Sequence, residues 1–424
     1  MVVNAVSLVI SFGGSAALGL VYWGLAAHQH QQSEVGKSAA MIAAMILIAA
    51  IAQLGYGALF QRQLPVAGRR SGRLILRAYA VSTFVGVALA TLYVASGLAR
   101  HFLPRGDDWG AVFVVSTGLW TIFALQDNAL VALRASKWVP VENILYSLAK
   151  LALLPLSLWG TNATGLFITW MAPIPLALIG VNWFLFRVHL PRRLLEDLPT
   201  EDLDQGRSLW SMTAAQAITT LLSNVSGSIV TLIVLAHLGG SANSIYYVSF
   251  QIVLGPMMFL WSVSRSLLVE ALHEPERLAR HTRRGLVTTL VILLGTWLIA
   301  VPLAPWVMLI FGHSYVASGT TLLRLQLLAL PGTAVTAFYT AYAWIDKKLW
   351  SLSARALLSL VINITTLELL IDHFRLAAVG LAALATAAVE VVLFLPLTWR
   401  RVRLALHPSA PSASPAGESV NERF

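Results

Sequence analysis

The charged residues inside the apolar stretches of this 424-residue chain are the first candidates for chemistry. Lys150 stands about ten residues into one such stretch, roughly 15 Å along a helix from its basic end. A lysine at that depth must face water or a partner. It either attracts an anionic group or pairs with Asp127 or with Glu142, which lies eight residues earlier on about the same helix face. Asp127, with Arg134 seven residues on, reads as a proton or cation site or as half of a buried ion pair. Glu390 near mid-depth and Glu368 towards the other end of its stretch are open to the same two readings, coupling protons or internal pairing. Arg324 either steers an anion or snorkels to the headgroups. Arg62 and Arg265 end their apolar stretches, where a guanidinium either anchors the span or meets an anion at the mouth of a cavity.

Uncharged polar residues recur at helical spacing. Asn4, Ser7, Ser11 and Ser15 lie on one face, as do Gln216, Thr220, Ser223, Gly227 and Thr231, with Asn224 beside them. Gln53, Gly57 and Gln61 form a shorter stripe, and Gln251, Gly255, Ser262 and Arg265 another. Small polar residues glue membrane helices together. Their matched occurrence in the opening helices of both halves of the chain also suits a cavity between parallel repeats. Gln53, Gln216, Asn224 and Gln251 are its candidate lining.

These residues need long helices to position them. Hydrophobic residues make up 57% of the chain and charged ones 11%, with a mean hydropathy of +0.74. A bilayer span takes about 20 apolar residues. Twelve such stretches are predicted: Val3–Ala27, Ala39–Phe60, Leu74–Ala99, Trp109–Leu133, Val141–Trp159, Gly165–Phe186, Trp210–Leu238, Ile245–Val269, Gly285–Phe311, Gly319–Ile345, Leu352–Ile371 and Ala377–Trp399. Each is too long for the roughly ten-residue strands of a barrel. The fold class is therefore an all-α polytopic membrane protein, with two six-helix lobes around a central cavity.

Of the 29 Lys and Arg residues, 23 fall in or beside the gaps after even-numbered spans or at the C-terminal end, and five fall in the alternate gaps. The positive-inside rule then puts both termini in the cytoplasm. The net charge of +10 is the rim of a membrane protein facing anionic lipid, and no nucleic acid is expected as a partner. Eight of the 14 tryptophans, among them Trp23, Trp138, Trp210 and Trp399, sit near span ends as an interfacial belt does. The N-terminal stretch lacks a basic n-region and is too long for a cleavable signal.

The predicted division is an N-terminal lobe at 1–190, a cytoplasmic linker at 191–208, a C-terminal lobe at 209–402 and a disordered tail at 403–424, rich in Pro, Ser and Ala. The absence of cysteine removes disulfides, thiol catalysis and cysteine metal sites. Neither a metal nor a cofactor is expected: His28 and His30 lack further ligands, and Asp107–Asp108 lies in a short external loop. Asn162-Ala163-Thr164 has the form of a glycosylation site in an external loop. No GxxxxGK[ST] loop is present to bind a nucleoside triphosphate.

The segment Phe311-Gly-His-Ser-Tyr315-Val-Ala-Ser-Gly319-Thr-Thr-Leu-Leu-Arg324, running on to Pro331, resembles a recurring segment of bacterial polysaccharide-repeat-unit flippases. These belong to the multidrug/oligosaccharidyl-lipid/polysaccharide exporter superfamily. Gln126-Asp127-Asn-Ala-Leu-Val-Ala-Leu-Arg134, continuing through Glu142-Asn143 to Lys150, and Gln61-Arg62-Gln-Leu64-Pro65 resemble a branch of the same family. The resemblance covers nearly the whole chain, including the six-plus-six division. It implies a transporter of the bacterial cytoplasmic membrane that flips an undecaprenyl-diphosphate-linked oligosaccharide by alternating access. Its partners would be that lipid-linked cargo, membrane lipid, and the polysaccharide polymerase and glycosyltransferases of the same process. On this reading Arg62 and Arg265 receive the diphosphate, Lys150 carries attraction to mid-depth, and Arg324 lies near the exit.

Two alternatives stand beside it. A cation-coupled exporter of small molecules or drugs shares the superfamily's fold and needs cavity carboxylates, which the chain also has. A membrane polysaccharide polymerase or lipid-sugar transferase would carry a substantial catalytic loop or soluble domain, and no gap is long enough to hold one.

Overall fold

In the computed structural model, residues 2–103, 107–159, 164–194, 207–273 and 277–406 are described. The side chains of Asn4, Ser7, Ser11 and Ser15, most of the expected linker and nearly all of the expected tail lie outside the described set.

Apolar runs broken by Gly and Pro give long helices with defined joints. In chain order they are α1 (Val2–Gln29), α2 (Gln32–Ala52), α3 (Tyr56–Gln63), α4 (Ser71–Ala95), α5 (Asp107–Ala132) and α6 (Trp138–Leu153). Then come α7 (Thr164–Met171), α8 (Ile174–Trp183), α9 (Leu190–Leu194) and α10 (Arg207–His273). The last are α11 (Leu278–Gly295), α12 (Val301–Leu309), α13 (His313–Leu328), α14 (Leu330–Ile345), α15 (Leu349–Phe374) and α16 (Ala377–Leu406).

Ten helical stretches among the described residues are long and apolar enough to cross a membrane. One of them, Ser211–Ala271, is two crossings that meet at Gly239, whose φ of 82° breaks the helical geometry. With the apolar 28-residue α1, these make twelve crossings. The side chains facing outward are those a bilayer would cover: Phe84, Leu176, Leu298 and Val392 are all at least 70% exposed.

The joints correct several predicted spans. The second was expected as one helix through Phe60, but α2 stops at Ala52 and the chain turns through Leu54 (φ 48°) and Gly55 (φ 79°) before α3. Gln53 therefore sits in the turn, and Gln53, Gly57 and Gln61 do not share one continuous helical face. The sixth divides at Pro173, which cannot donate the next helical hydrogen bond, and α8 continues to α9 through a π-helical stretch, Phe184–His189. The tenth divides before Pro331 and begins at His313, inside a gap predicted to be loop. The predicted gap Gly239–Ser244 is also helical except at Gly239, and Asn243 and Ser244 are fully buried.

Each half has its own apolar core. Tyr22, Met41, Met45, Phe113 and Phe167 centre one, and Val234, Tyr246, Met308, Leu323 and Leu367 the other. The halves are joined chiefly by α2 lying along α10. At one end of that seam the backbones touch: a Cβ on Gly36 would fall 1.8 Å from the Gly240 carbonyl oxygen, and Asn243 Nδ2 donates to the Gly36 carbonyl at 2.7 Å. At the other end Gln216 Nε2 donates to Gln61 Oε1 at 2.9 Å.

Candidate functional site

Asp127 on α5 and Glu142 on α6 meet where these helices pack with α8, and their surroundings are neutral. Gln126 Nε2 donates to Glu142 Oε1. Asn182 Nδ2, from α8, donates to Gln126 Oε1 at 2.6 Å. Asn143 Nδ2 reaches Asp127 Oδ2 at 3.4 Å. The two carboxylates lie within electrostatic reach of each other and of the Tyr79 hydroxyl on α4. Four oxygens here are buried and unpartnered among the described residues: Asp127 Oδ1, Glu142 Oε2, Asn182 Oδ1 and Tyr79 Oη. Among the described residues neither carboxylate forms an ion pair, so Asp127 pairs with neither Arg134 nor Lys150. Buried carboxylates are normally compensated. A cluster of oxygens with unused lone pairs can take a proton or a hard cation, and it offers no nitrogen or sulfur to a softer metal.

Lys150, in the last turn of α6, is buried and held by rings. Its Nζ lies 4.9 Å from the Tyr146 centroid, 5.5 Å from Tyr22 and 5.7 Å from Trp170. Of the two readings of Lys150, an ion pair with Asp127 or Glu142 is not formed among the described residues. Tyr146 precedes Lys150 by one helical turn, so that contact was visible in the spacing. Tyr22 and Trp170 come from α1 and α7, which sequence spacing could not bring together. The rings are fixed in turn: the Tyr146 hydroxyl donates to the Trp170 carbonyl at 3.0 Å and the Tyr22 hydroxyl to the Leu166 carbonyl at 3.1 Å. Trp23 packs edge-on against Tyr247 of α10 at 4.8 Å, and Gln251 stands one helical turn beyond Tyr247. Lys150 and Gln251 thus belong to one aromatic region on the seam between the halves.

The remaining candidates are dispersed. Gln216 joins the seam through Gln61, next to Arg62, while Asn224 is exposed. Arg265 is exposed at the end of its crossing and forms no ion pair among the described residues. Arg324 is exposed and donates from Nε to the Val301 carbonyl at 3.1 Å. Glu368, also exposed, stands 3.9 Å from His237. Glu390 is neutralised: Arg355 Nη1 lies 3.3 Å from its Oε1, and Ser359 Oγ donates to the same oxygen at 2.6 Å. Arg355 escaped the sequence reading, which placed it with the basic rim; it is 8% exposed. Gln126, Asn182 and Tyr79 were not singled out as site residues either, though an amide in an apolar run such as that around Asn182 is a usable signal.

No protein-family model matches the chain, and no curated protein does. Solved structures do share the fold. The inward-facing conformation of a multidrug resistance MATE family transporter of the MOP superfamily has a TM-score of 0.67 at 13% identity, over 92% of this chain and 96% of that one. The outward-facing conformation of a multidrug resistance MATE family transporter scores 0.60 at 13% identity, over 95% of each chain. A MOP superfamily transporter from Pyrococcus furiosus, described as having a binding pocket of reverse polarity, scores 0.62 at 12% identity, also over 95% of each.

Proposed function

We propose that the chain is a membrane transporter that works by alternating access and exports a small molecule in exchange for a proton or cation taken up at Asp127 and Glu142. The observation that carries this reading is the uncompensated pair. Glu142 is 6% exposed, yet its neighbours are amides, a phenol and the Asp127 carboxylate, and four oxygens of the cluster lack partners among the described residues. A structural network would satisfy those atoms. A site that loads and unloads a cation leaves them available between loadings. The shared fold with MATE transporters supports the same direction. The similarity is higher to the inward-facing than to the outward-facing structure. We read this as the inward-facing state, with both termini in the cytoplasm.

The test is transport in proteoliposomes. A sodium or proton gradient should drive uptake of a lipophilic cation such as ethidium. Asp127→Asn and Glu142→Gln should each reduce that flux by about tenfold or more at matched protein levels. Gradient-independent flux, or full activity in both variants, would sink the coupling role.

A second reading is favoured by Lys150. Its ammonium is held by three rings and forms no ion pair among the described residues, so its charge is available to an anion. An anionic cargo such as a polyprenyl-diphosphate-linked oligosaccharide would use it, as the sequence resemblance implies. In a bacterial strain lacking its own flippase, this chain should then restore surface polysaccharide, and Lys150→Met should abolish the rescue. Failure of the unaltered chain to rescue, together with gradient-driven ethidium flux, would decide for the small-molecule exporter.

A further inference from the structure

At the end of the bundle where α16 leaves the apolar belt, two cavities adjoin. One, of about 360 Å³, is polar and lies between the α14–α15 joint and α16; Lys348, Ser351, Tyr342, Thr398, Arg400 and Arg401 contribute to it, with Asp346. The other, about 520 Å³, is open and mainly apolar, lined by Pro396, Trp399, Arg400, Arg403 and Leu404. Arg400 and Leu404 belong to both.

Three cations and one carboxylate line the polar cavity, and the carboxylate is committed: Asp346 Oδ2 lies 2.7 Å from Arg401. Lys348 and Arg400 are exposed and form no ion pair among the described residues. The cavity also receives the start of the 26-residue α15, whose first turn carries no acidic residue and whose leading N–H groups favour an anion. A separate observation points the same way. Thr398 is 5% exposed, lines this cavity, and its hydroxyl has no partner among the described residues. A buried donor left idle beside two uncommitted cations suits an oxyanion. The adjoining groove is shaped for something apolar, and Arg403 packs over the Trp399 ring at 5.6 Å, as basic and aromatic residues do at the headgroup level.

We propose that this double cavity binds an anionic glycerophospholipid, with its phosphate against Lys348, Arg400 and Thr398 and an acyl chain along Pro396, Trp399 and Leu404. A zwitterionic lipid would bring its own cation towards the excess positive charge and bind less well. The site, on α14–α16, is separate from the Asp127–Glu142 cluster on α5 and α6.

Delipidated full-length protein in detergent is titrated with phosphatidylglycerol, phosphatidylcholine or inorganic phosphate and read by native mass spectrometry. One phosphatidylglycerol should be retained at least tenfold more tightly than phosphatidylcholine. The doubly substituted Lys348→Ala/Arg400→Ala protein should lose that preference by about tenfold or more. Both residues are exposed, so the fold should survive, and an unchanged melting temperature checks this. Thr398→Val should weaken phosphatidylglycerol alone. Equal binding of the two lipids, or undiminished phosphatidylglycerol binding in the double variant, would overturn the proposal. Inorganic phosphate binding as tightly as phosphatidylglycerol would overturn the lipid assignment, since the groove would then contribute nothing.

Discussion

Glu142 is buried on the fifth crossing of its half and Glu390, with a side chain 13% exposed, lies on the sixth crossing of the other, but of the two only Glu390 has a counter-ion among the described residues. That difference gives opposite expectations for stability. Removing Arg355 would strand a largely desolvated carboxylate, at a cost of up to about 3 kcal/mol, whereas replacing both partners by apolar residues is often neutral. Arg355→Met should therefore lower the melting temperature in detergent, and Arg355→Met/Glu390→Leu should recover most of the loss. Glu142→Gln removes a desolvated charge that lacks a counter-ion, so it should leave the melting temperature unchanged or raise it. A fall as large as that of Arg355→Met would show that Glu142 is a structural residue. What the sequence offered at this scale was the list of charges within apolar runs. Which charges find each other depends on contacts between α5, α6 and α8 and between α15 and α16, and helical periodicity within one span carries no information about those. Lys150 shows the limit. Its depth could be counted along the chain, but its ring partners lie 128 and 20 residues away in sequence, at Tyr22 and Trp170.

Among elements, the seam of α2 against α10 depends on the missing side chains of Gly36 and Gly240. A Cβ on Gly240 would fall 2.5 Å from the Ser33 carbonyl oxygen, so neither position accepts a larger residue while this end is closed. Gly36→Val should hold the halves apart there. Because the chain has no cysteine, a single Cys at Asn243, which is fully buried in the closed seam, reports directly. Its modification by a water-soluble maleimide should rise severalfold in the Gly36→Val background, and an unchanged rate would mean that the seam adapts in some other way. The number of crossings was legible because each needs a long apolar run and the runs are well separated. Their internal joints were less so. Pro173 and Pro331 mark real breaks, yet Pro256 and Pro396 lie inside helices that continue through them. A proline removes one hydrogen bond, and whether the helix ends there depends on what packs around it. The turn at Leu54–Gly55 has no proline at all.

For the whole molecule, the arrangement of basic residues predicts orientation. A single Cys at Ser241 or Ser314, both exposed, should react with an impermeant reagent in intact cells, and one at exposed Ser136 should not. The opposite result would invert the topology. Ser71, although in a basic gap, is 3% exposed and would be silent for a reason unrelated to sidedness. The two crossings that meet at Gly239 have a further consequence. With no loop between them, they behave as two rigid arms on one pivot. Each arm of some 33 residues is about 50 Å long. A change of roughly 5° at the pivot would move Gln216, about 35 Å along its arm, by about 3 Å, enough to break its 2.9 Å hydrogen bond to Gln61. The backbone torsions of one glycine thus have leverage over the opposite face of the membrane. Gly239→Ala meets no neighbour within 4 Å but is strained at φ 82°. It should fold, keep its substrate affinity, and slow turnover in the liposome assay, whereas an unchanged rate would place the pivot elsewhere.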